Sequence, residues 1–256
     1  RREFDQYINL RPMKLLPGVT GAMPGIEDLD IVVVRENVEG EYSRIGGRFG
    51  AGTDAEFAVQ ESVFTKAGVS RVARYAAAAA DARGGTLVSA TKSNGIIHTM
   101  PFWDEVVAGT VARFPGVTVD KVLIDALAAR LVMKPTSIRT IVASNLFGDI
   151  LSDLVAGIAG SIGIAPSANL NPERRFQSMF EPVHGSAPDI AGKGIANPVG
   201  ALWAAAMMLE HLGEEAAARS LTGAFESVLA DGVATPDLGG SATTVEFAKE
   251  VRRRLR

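Results

Sequence analysis

Short runs rich in β-branched residues alternate with stretches of helical period along the first 160 or so residues. That alternation predicts an α/β fold. Asp30–Val34 reads as a buried strand, and Glu41–Arg48 and Glu56–Glu61 as extended, partly exposed strands flanking a Gly-rich stretch. From about Ser70 to Ala82 the apolar positions Val72, Ala76 and Ala79 share one helix face, with Gly84-Gly85 as the stop. Thr86–Thr91 is a predicted strand, followed by a helix from about Pro101 to Phe114 that Pro115-Gly116 ends. Val117–Ile124 is the next strand, then a short helix over Ala126–Met133, a strand over Arg139–Ser144 and a helix opening near Gly148.

After about Gly160 the texture changes. Gly160–Arg175 is rich in Gly, Ser, Pro and Asn and reads as loop, and Phe180–Pro198 reads as a second long irregular segment. Three helices close the chain. The first takes Asn197 as N-cap and Pro198 at N1, the second covers roughly Glu214–Ala230, and the third opens on the capping-box pattern Thr243-Thr-Val-Glu246. Each needs a surface for its apolar stripe. No obvious sheet is left for them, so the missing strands are expected from outside this stretch.

Composition narrows the class. The chain has 256 residues, 47% apolar and 21% charged, with a formal net charge of −3. That excludes disorder. The absence of cysteine excludes a disulfide scaffold, thiolate zinc sites and a thiol nucleophile. No apolar run approaches a membrane span and no signal peptide opens the chain, so a soluble, cytoplasmic protein is expected. Without a basic stripe, nucleic acid is not an expected partner. The start, Arg1-Arg2-Glu3-Phe4 without Met, suggests the later part of a longer polypeptide.

The clearest chemical constellation is Asn145-Leu-Phe-Gly-Asp149-Ile-Leu-Ser-Asp153. Carboxylates at i and i+4, at a helix start directly after a strand, share a face and suit Mg²⁺ or Mn²⁺. Alternatively they are a solvated helix start favoured by the dipole. Asp125, ending another strand, is a third candidate ligand. Arg1, Arg11 and Arg35 stand in or beside apolar surroundings; converging guanidiniums would grip a di- or tricarboxylate, whereas single ones would be structural ion pairs. Tyr42 and Lys92 are candidate proton carriers, or else surface residues. Glu181-Pro-Val-His184 through Asp189 to Asn197-Pro is a long Gly- and Pro-punctuated loop leading into a helix, a common seat of function. It is not a P-loop, and no G-x-G-x-x-G follows a strand. With three His and no Cys, His184 is not read as a zinc ligand. Asp189 facing a ribose would favour NAD over NADP.

In this order, NLRP, VVREN-x-EG-x-Y, ATKSNG, ASNLFGDILSD and EPVHGSAPDIAGKGIANP resemble the β-decarboxylating dehydrogenases: the isocitrate, isopropylmalate, and tartrate or D-malate dehydrogenases. The resemblance spans essentially the whole chain. RREFDQY-x-NLRP and IGIAPSANLNPER look most like the tartrate/D-malate branch. It implies an isopropylmalate dehydrogenase-like, two-domain α/β/α fold lacking about ninety residues of the cofactor domain, a fair fraction of a domain. Residues 10–160 would form the dimerisation and substrate/metal domain, with arm strands. Residues 1–9 and 161–256 would form the C-terminal part of the NAD-binding domain. Arg1, Arg11 and Arg35 would bind substrate carboxylates. Asp149 and Asp153 would hold Mg²⁺ or Mn²⁺, joined by Asp125 of a partner subunit. Lys92, also from the partner, would take the hydroxyl proton, and Tyr42 would protonate the enol. Glu181, His184, Gly185, Ser186, Ala187, Asp189, Ile190 and Asn197 would line the NAD site. A homodimer with shared sites is implied, as is activation by K⁺ without an assignable residue. Gly95, three residues after the lysine, removes one wall of an isopropyl pocket and favours malate or tartrate. An isopropylmalate dehydrogenase, and a non-catalytic or regulatory relative, are the alternatives.

Overall fold

The computed structural model of the chain describes residues 1–255. In chain order its elements are β1 (Ile8–Lys14), β2 (Asp30–Glu36), β3 (Gly46–Phe49), β4 (Phe57–Gln60), α1 (Lys66–Asp81), β5 (Thr86–Thr91), α2 (Thr99–Val111), β6 (Thr118–Leu123), α3 (Ile124–Met133), β7 (Thr140–Ala143), α4 (Asn145–Ile158), β8 (Pro166–Leu170), β9 (Met179–Pro182), α5 (Val199–Leu212), α6 (Glu215–Ala230) and α7 (Thr244–Arg254). One sheet runs β6-β5-β7-β2-β1-β8-β9, and β3 and β4 pair apart from it as an exposed hairpin. The strands from β6 to β2 are mutually parallel; β1, β8 and β9 alternate in direction. The fold is α/β, as the alternation predicted.

β2 shows why. Its positions Ile31–Glu36 are all buried. A strand hidden on both faces reads as an unbroken apolar run, and here α1 and α4 pack on it. The α1 helix begins at Lys66, ahead of the expected Ser70, because Thr65 Oγ1 accepts the Gly68 N–H and caps it there. Its buried stripe is Val69, Val72, Ala73, Ala76, Ala77 and Ala80; Ala79 lies at the margin. Thr243 and Glu246 form the predicted capping box of α7.

Three expectations need correction. The stretch taken as loop contains β8, buried at all five positions, and β9 opens the second irregular segment. The closing helices therefore do find a sheet within the chain: α5 packs on β8 and β9, and α6 on α5. Polar Ser167 and Asn169 conceal β8 in the sequence, because both satisfy buried amide hydrogen bonds with Asn9, at 2.7 and 2.9 Å. The arm strands are also shorter than expected, four residues each, with Phe49 stacked on Phe57 at 5.1 Å between ring centroids. Among the described residues no helix is long and apolar enough to cross a membrane.

Candidate active site

α4 starts at Asn145, with Ser144 as its cap. The helix opens earlier than Gly148 because the Ser144 hydroxyl accepts the Phe147 N–H at 3.4 Å. Asp149 therefore sits one turn inside the helix, and the i, i+4 spacing carries Asp153 on the same face. Both carboxylates face β1. Arg11 Nη1 lies 3.2 Å from Asp149 Oδ1 and 3.5 Å from Asp153 Oδ1, and donates to Ser152 Oγ at 2.6 Å. The cation between the two aspartates is, in the first place, the chain's own.

Arg35 joins them from the end of β2. Its Nε and Nη2 donate to Asn145 Oδ1 at 3.1 and 2.7 Å, and its Nη1 to Asp149. Gly148 makes this approach possible: a Cβ there would lie 2.6 Å from Arg35 Cβ. Arg11 and Arg35 are only 4% and 2% exposed. Burial lowers the pKa of both, Arg35 to about 10 with Arg11 repulsion as the next cause, and Arg1 lies close enough to lower both further. Arg11 and Arg35 repel each other beside the Asp149 they share, with Asp153 and Glu181 as the other carboxylates at the cluster. An anionic ligand would relieve that repulsion.

Tyr42 completes the cluster. Its hydroxyl donates to Asp149 Oδ2 at 3.2 Å, and Arg35 Cζ lies 5.9 Å from its ring centroid. The ring is 46% exposed. Burial raises the phenol pKa, and the Asp149 charge raises it further, so Tyr42 holds its proton at neutral pH.

Lys92 and Asp125 form a second group. Lys92 follows β5, Asp125 lies in the first turn of α3, and Nζ meets Oδ1 at 2.7 Å. The hydrogen bond from Lys92 holds the Asp125 carboxyl below its usual range. Among the described residues no three acidic or histidine side chains come together as a metal-binding group. Within one chain Asp125 stands with Lys92 and does not join Asp149 and Asp153. The latter pair is a hard-oxygen set that fits a divalent cation in chemistry but supplies only part of a coordination shell. Burial raises the Asp153 pKa, with Arg11 opposing it.

Arg1 reaches the same region from the other side. It pairs with Glu181 at 3.2 Å, and Asn169 donates to the same carboxylate at 2.9 Å. Asn169 Oδ1 in turn accepts from Asn9 and Asn37 at 2.9 and 3.0 Å. Glu181 thus belongs to a polar seam across the sheet.

Beyond β9 a cleft of about 600 Å³ opens. Six of the expected cofactor residues line it: His184, Gly185, Ser186, Ala187, Ile190 and Asn197. Glu181 and Asp189 are not among its walls, and the Asp189 side chain is exposed. Asn197 caps α5 from one position earlier than expected: Pro198 takes the cap position, and Asn197 Oδ1 accepts the Val199 N–H at 3.0 Å. Its Nδ2 donates to Asp237 Oδ2 at 3.0 Å, and Asp237 also accepts from Ser161 and Thr235, both at 2.5 Å. A cleft walled by glycine, alanine and one oriented amide fits a flat, polar-edged ligand such as a dinucleotide.

The family model for isocitrate/isopropylmalate dehydrogenase matches residues 1–251. The chain belongs to this family. It is 55% identical to the D-malate dehydrogenase [decarboxylating] of Escherichia coli (strain K12), over 98% of this chain and 72% of that one. It is 52% identical to a probable tartrate dehydrogenase/decarboxylase of Bacillus subtilis (strain 168), over 100% of this chain and 72% of that one. Isocitrate dehydrogenase from Methylococcus capsulatus superposes with a TM-score of 0.91 at 38% identity, covering 98% of this chain and 74% of that structure. Isocitrate/isopropylmalate dehydrogenases are enzymes that use NAD(P) and divalent metals, act on small hydroxy acids and are commonly dimeric.

In this member of the isocitrate/isopropylmalate dehydrogenase family, sequence reading missed Ser161, Asp237 and Thr244, which line the cleft, and Glu41, described below. A signal for Asp237 exists: Thr235-Pro236-Asp237 followed by Gly239-Gly240 is punctuated like the 184–197 loop.

Proposed function

We propose that the chain catalyses NAD-dependent oxidative decarboxylation of a 2-hydroxy dicarboxylate, D-malate or tartrate, giving pyruvate, CO₂ and NADH from D-malate. The observation that carries this is the convergence of buried Arg11 and Arg35 with proton-bearing Tyr42 on Asp149. The names of the Escherichia coli and Bacillus subtilis relatives point to the same substrates. The arginines bind and orient the carboxylates through forked hydrogen bonds, with Arg1 at the rim. Asp149 and Asp153 hold Mg²⁺ or Mn²⁺ together with Asp125 of a second copy, and the 184–197 loop holds NAD. Bound there, a divalent cation would supply stabilisation of developing negative charge and NAD a hydride acceptor. Lys92 of the second copy takes the hydroxyl proton, and Tyr42 returns one to the carbon that CO₂ leaves. An exposed carboxylate at Asp189, beside cleft-lining Ile190, disfavours a 2′-phosphate and supports NAD over NADP.

Gly95 supports a small substituent at C3. The three atoms nearest a Cβ there would be those of Lys92, at 3.9–4.0 Å, so the position accepts a side chain and the glycine leaves that volume unfilled. The test is NADH absorbance with D-malate, L-tartrate, 3-isopropylmalate and isocitrate, with Mn²⁺ and K⁺. Turnover of D-malate or tartrate is expected. No NADH from any substrate overturns the dehydrogenase reading, and turnover of 3-isopropylmalate alone overturns the substrate assignment.

A further inference from the structure

Three glutamates fasten the turn that follows β2, one within the turn and two to different helices. Glu36 accepts the Val38 and Glu39 N–H groups at 2.8–3.1 Å and closes the turn on itself. Glu39 accepts from the Thr65 N–H and hydroxyl at 2.8 and 2.7 Å, at the start of α1. Glu41 reaches the start of α4: its Oε1 accepts from the Ser144 hydroxyl at 2.6 Å and its Oε2 from the Leu146 N–H at 3.1 Å. α4 carries Asn145, Asp149, Ser152 and Asp153, all of which touch Arg11 or Arg35. Tyr42 is the next residue after Glu41. The 39–42 segment is therefore pinned to α4 three times: Asn145 Nδ2 donates to the Glu39 carbonyl at 3.1 Å, Glu41 caps the helix, and Tyr42 donates to Asp149.

We infer that Glu41 is a positioning residue for Tyr42. It touches no proposed ligand. Its carboxylate joins the first turn of α4 to the backbone of Tyr42, and so sets where the phenol lies relative to Asp149. A carboxylate suits this place because a helix N-terminus presents unpaired N–H groups and a partial positive charge. Of the three pins, one is a single neutral hydrogen bond and one is made by a half-exposed ring. Glu41 alone offers two charge-assisted bonds, which are about twice as strong as neutral ones.

The role rests on Tyr42 being the proton donor proposed above, and the test separates the two. Glu41→Ala and Glu41→Gln are compared with the parent in steady-state assays with D-malate and in ¹³Cζ-tyrosine NMR at fixed pH. With three tyrosines in the chain, Tyr42→Phe assigns the resonance. Glu41→Ala is expected to lower kcat roughly 10- to 100-fold, with KM and the Mn²⁺ affinity measured by electron paramagnetic resonance changing less than about 3-fold. Its Tyr42 resonance should move to that of free tyrosine. Glu41→Gln keeps one neutral acceptor of the two and should fall between Glu41→Ala and the parent in both kcat and resonance. An unmoved resonance in Glu41→Ala overturns the positioning role, as does a matched fall in kcat/KM through KM alone. If Glu41→Ala does not fold, Glu41→Gln decides alone: a lowered kcat with a shifted Tyr42 resonance supports the role, and parent kcat with the parent resonance refutes it. Should the parent not oxidise D-malate, the substrate reading fails while the NMR comparison still decides the role of Glu41.

Discussion

Around Asp149, charged side chains hold one another in place: two guanidiniums are nearly sealed from water, two carboxylates face them, and a phenol lies across the top. Beside Asn197 the walls are glycine, alanine and isoleucine, and one carboxylate, Asp237, ties the loop ends together. The first region stands on β1, β2 and α4, the second mostly on loops. Rigid elements keep charges at fixed separations, which a dicarboxylate of one length can match. Loops around an apolar cleft offer shape and backbone groups, which suits a larger ligand bound through many small contacts. Damage to the first region should therefore be severe and specific to substrate, and damage to the second graded and specific to cofactor.

Arg35→Lys tests this most sharply. It preserves charge but cannot make the fork to Asn145 and Asp149. Losing charge-assisted hydrogen bonds of ~1.5–3 kcal/mol each should lower kcat/KM for D-malate roughly 100-fold. The KM for NAD should stay within a few-fold. Equal losses for both ligands would erase the distinction between the regions.

Asp237→Ala is the opposite probe. It frees Asn197 and Ser161, and the KM for NAD should rise roughly tenfold, about the worth of one positioned hydrogen bond, while the KM for D-malate holds. A smaller effect is expected from Gly95→Ala beside Lys92. One added methyl should change discrimination between D-malate and 3-isopropylmalate by roughly fivefold, in favour of the bulkier substrate, the lower end of the ~1–3 kcal/mol that methylene-scale contacts are worth. Competition assays read this ratio directly.

The mildest test concerns stability. Burial pushes the Glu36 carboxyl up to about 7 from an ordinary 4.5, against the backbone N–H bonds it accepts. A folded pKa above the unfolded one favours the protonated native state. The contribution to stability is thus full below about 4.5 and is lost as pH rises through about 7. In Glu36→Gln that loss is absent, so its melting temperature should gain on the parent by a few degrees between about pH 5 and pH 8. A constant difference across that range would show that Glu36 does not titrate there.

Much of this was legible in the residues, for physical reasons. Arg35 at the end of an apolar run is an arginine at a buried strand end, and the spacing of Asp149 and Asp153 survives a helix start that shifted by three residues. β8 was not legible. Asn and Ser in Pro166–Leu170 look like loop chemistry until Asn9 is known to face them across the sheet, and that pairing spans 160 residues. Glu41 was hidden for the same reason: its partners Ser144 and Leu146 are over 100 residues away. Local pattern reports what neighbours in sequence do and is silent on distant hydrogen bonds.

The central place of β1 has a consequence in time. It hydrogen-bonds to β2 on one side and β8 on the other. During synthesis β2 follows it closely, but β8 emerges only after some 160 more residues. At ~5–20 residues per second the nascent chain carries a bare strand edge for roughly ten to thirty seconds. Such an edge is a template for pairing with any other strand. The β1 edge therefore stays open to mispairing until β8 covers it.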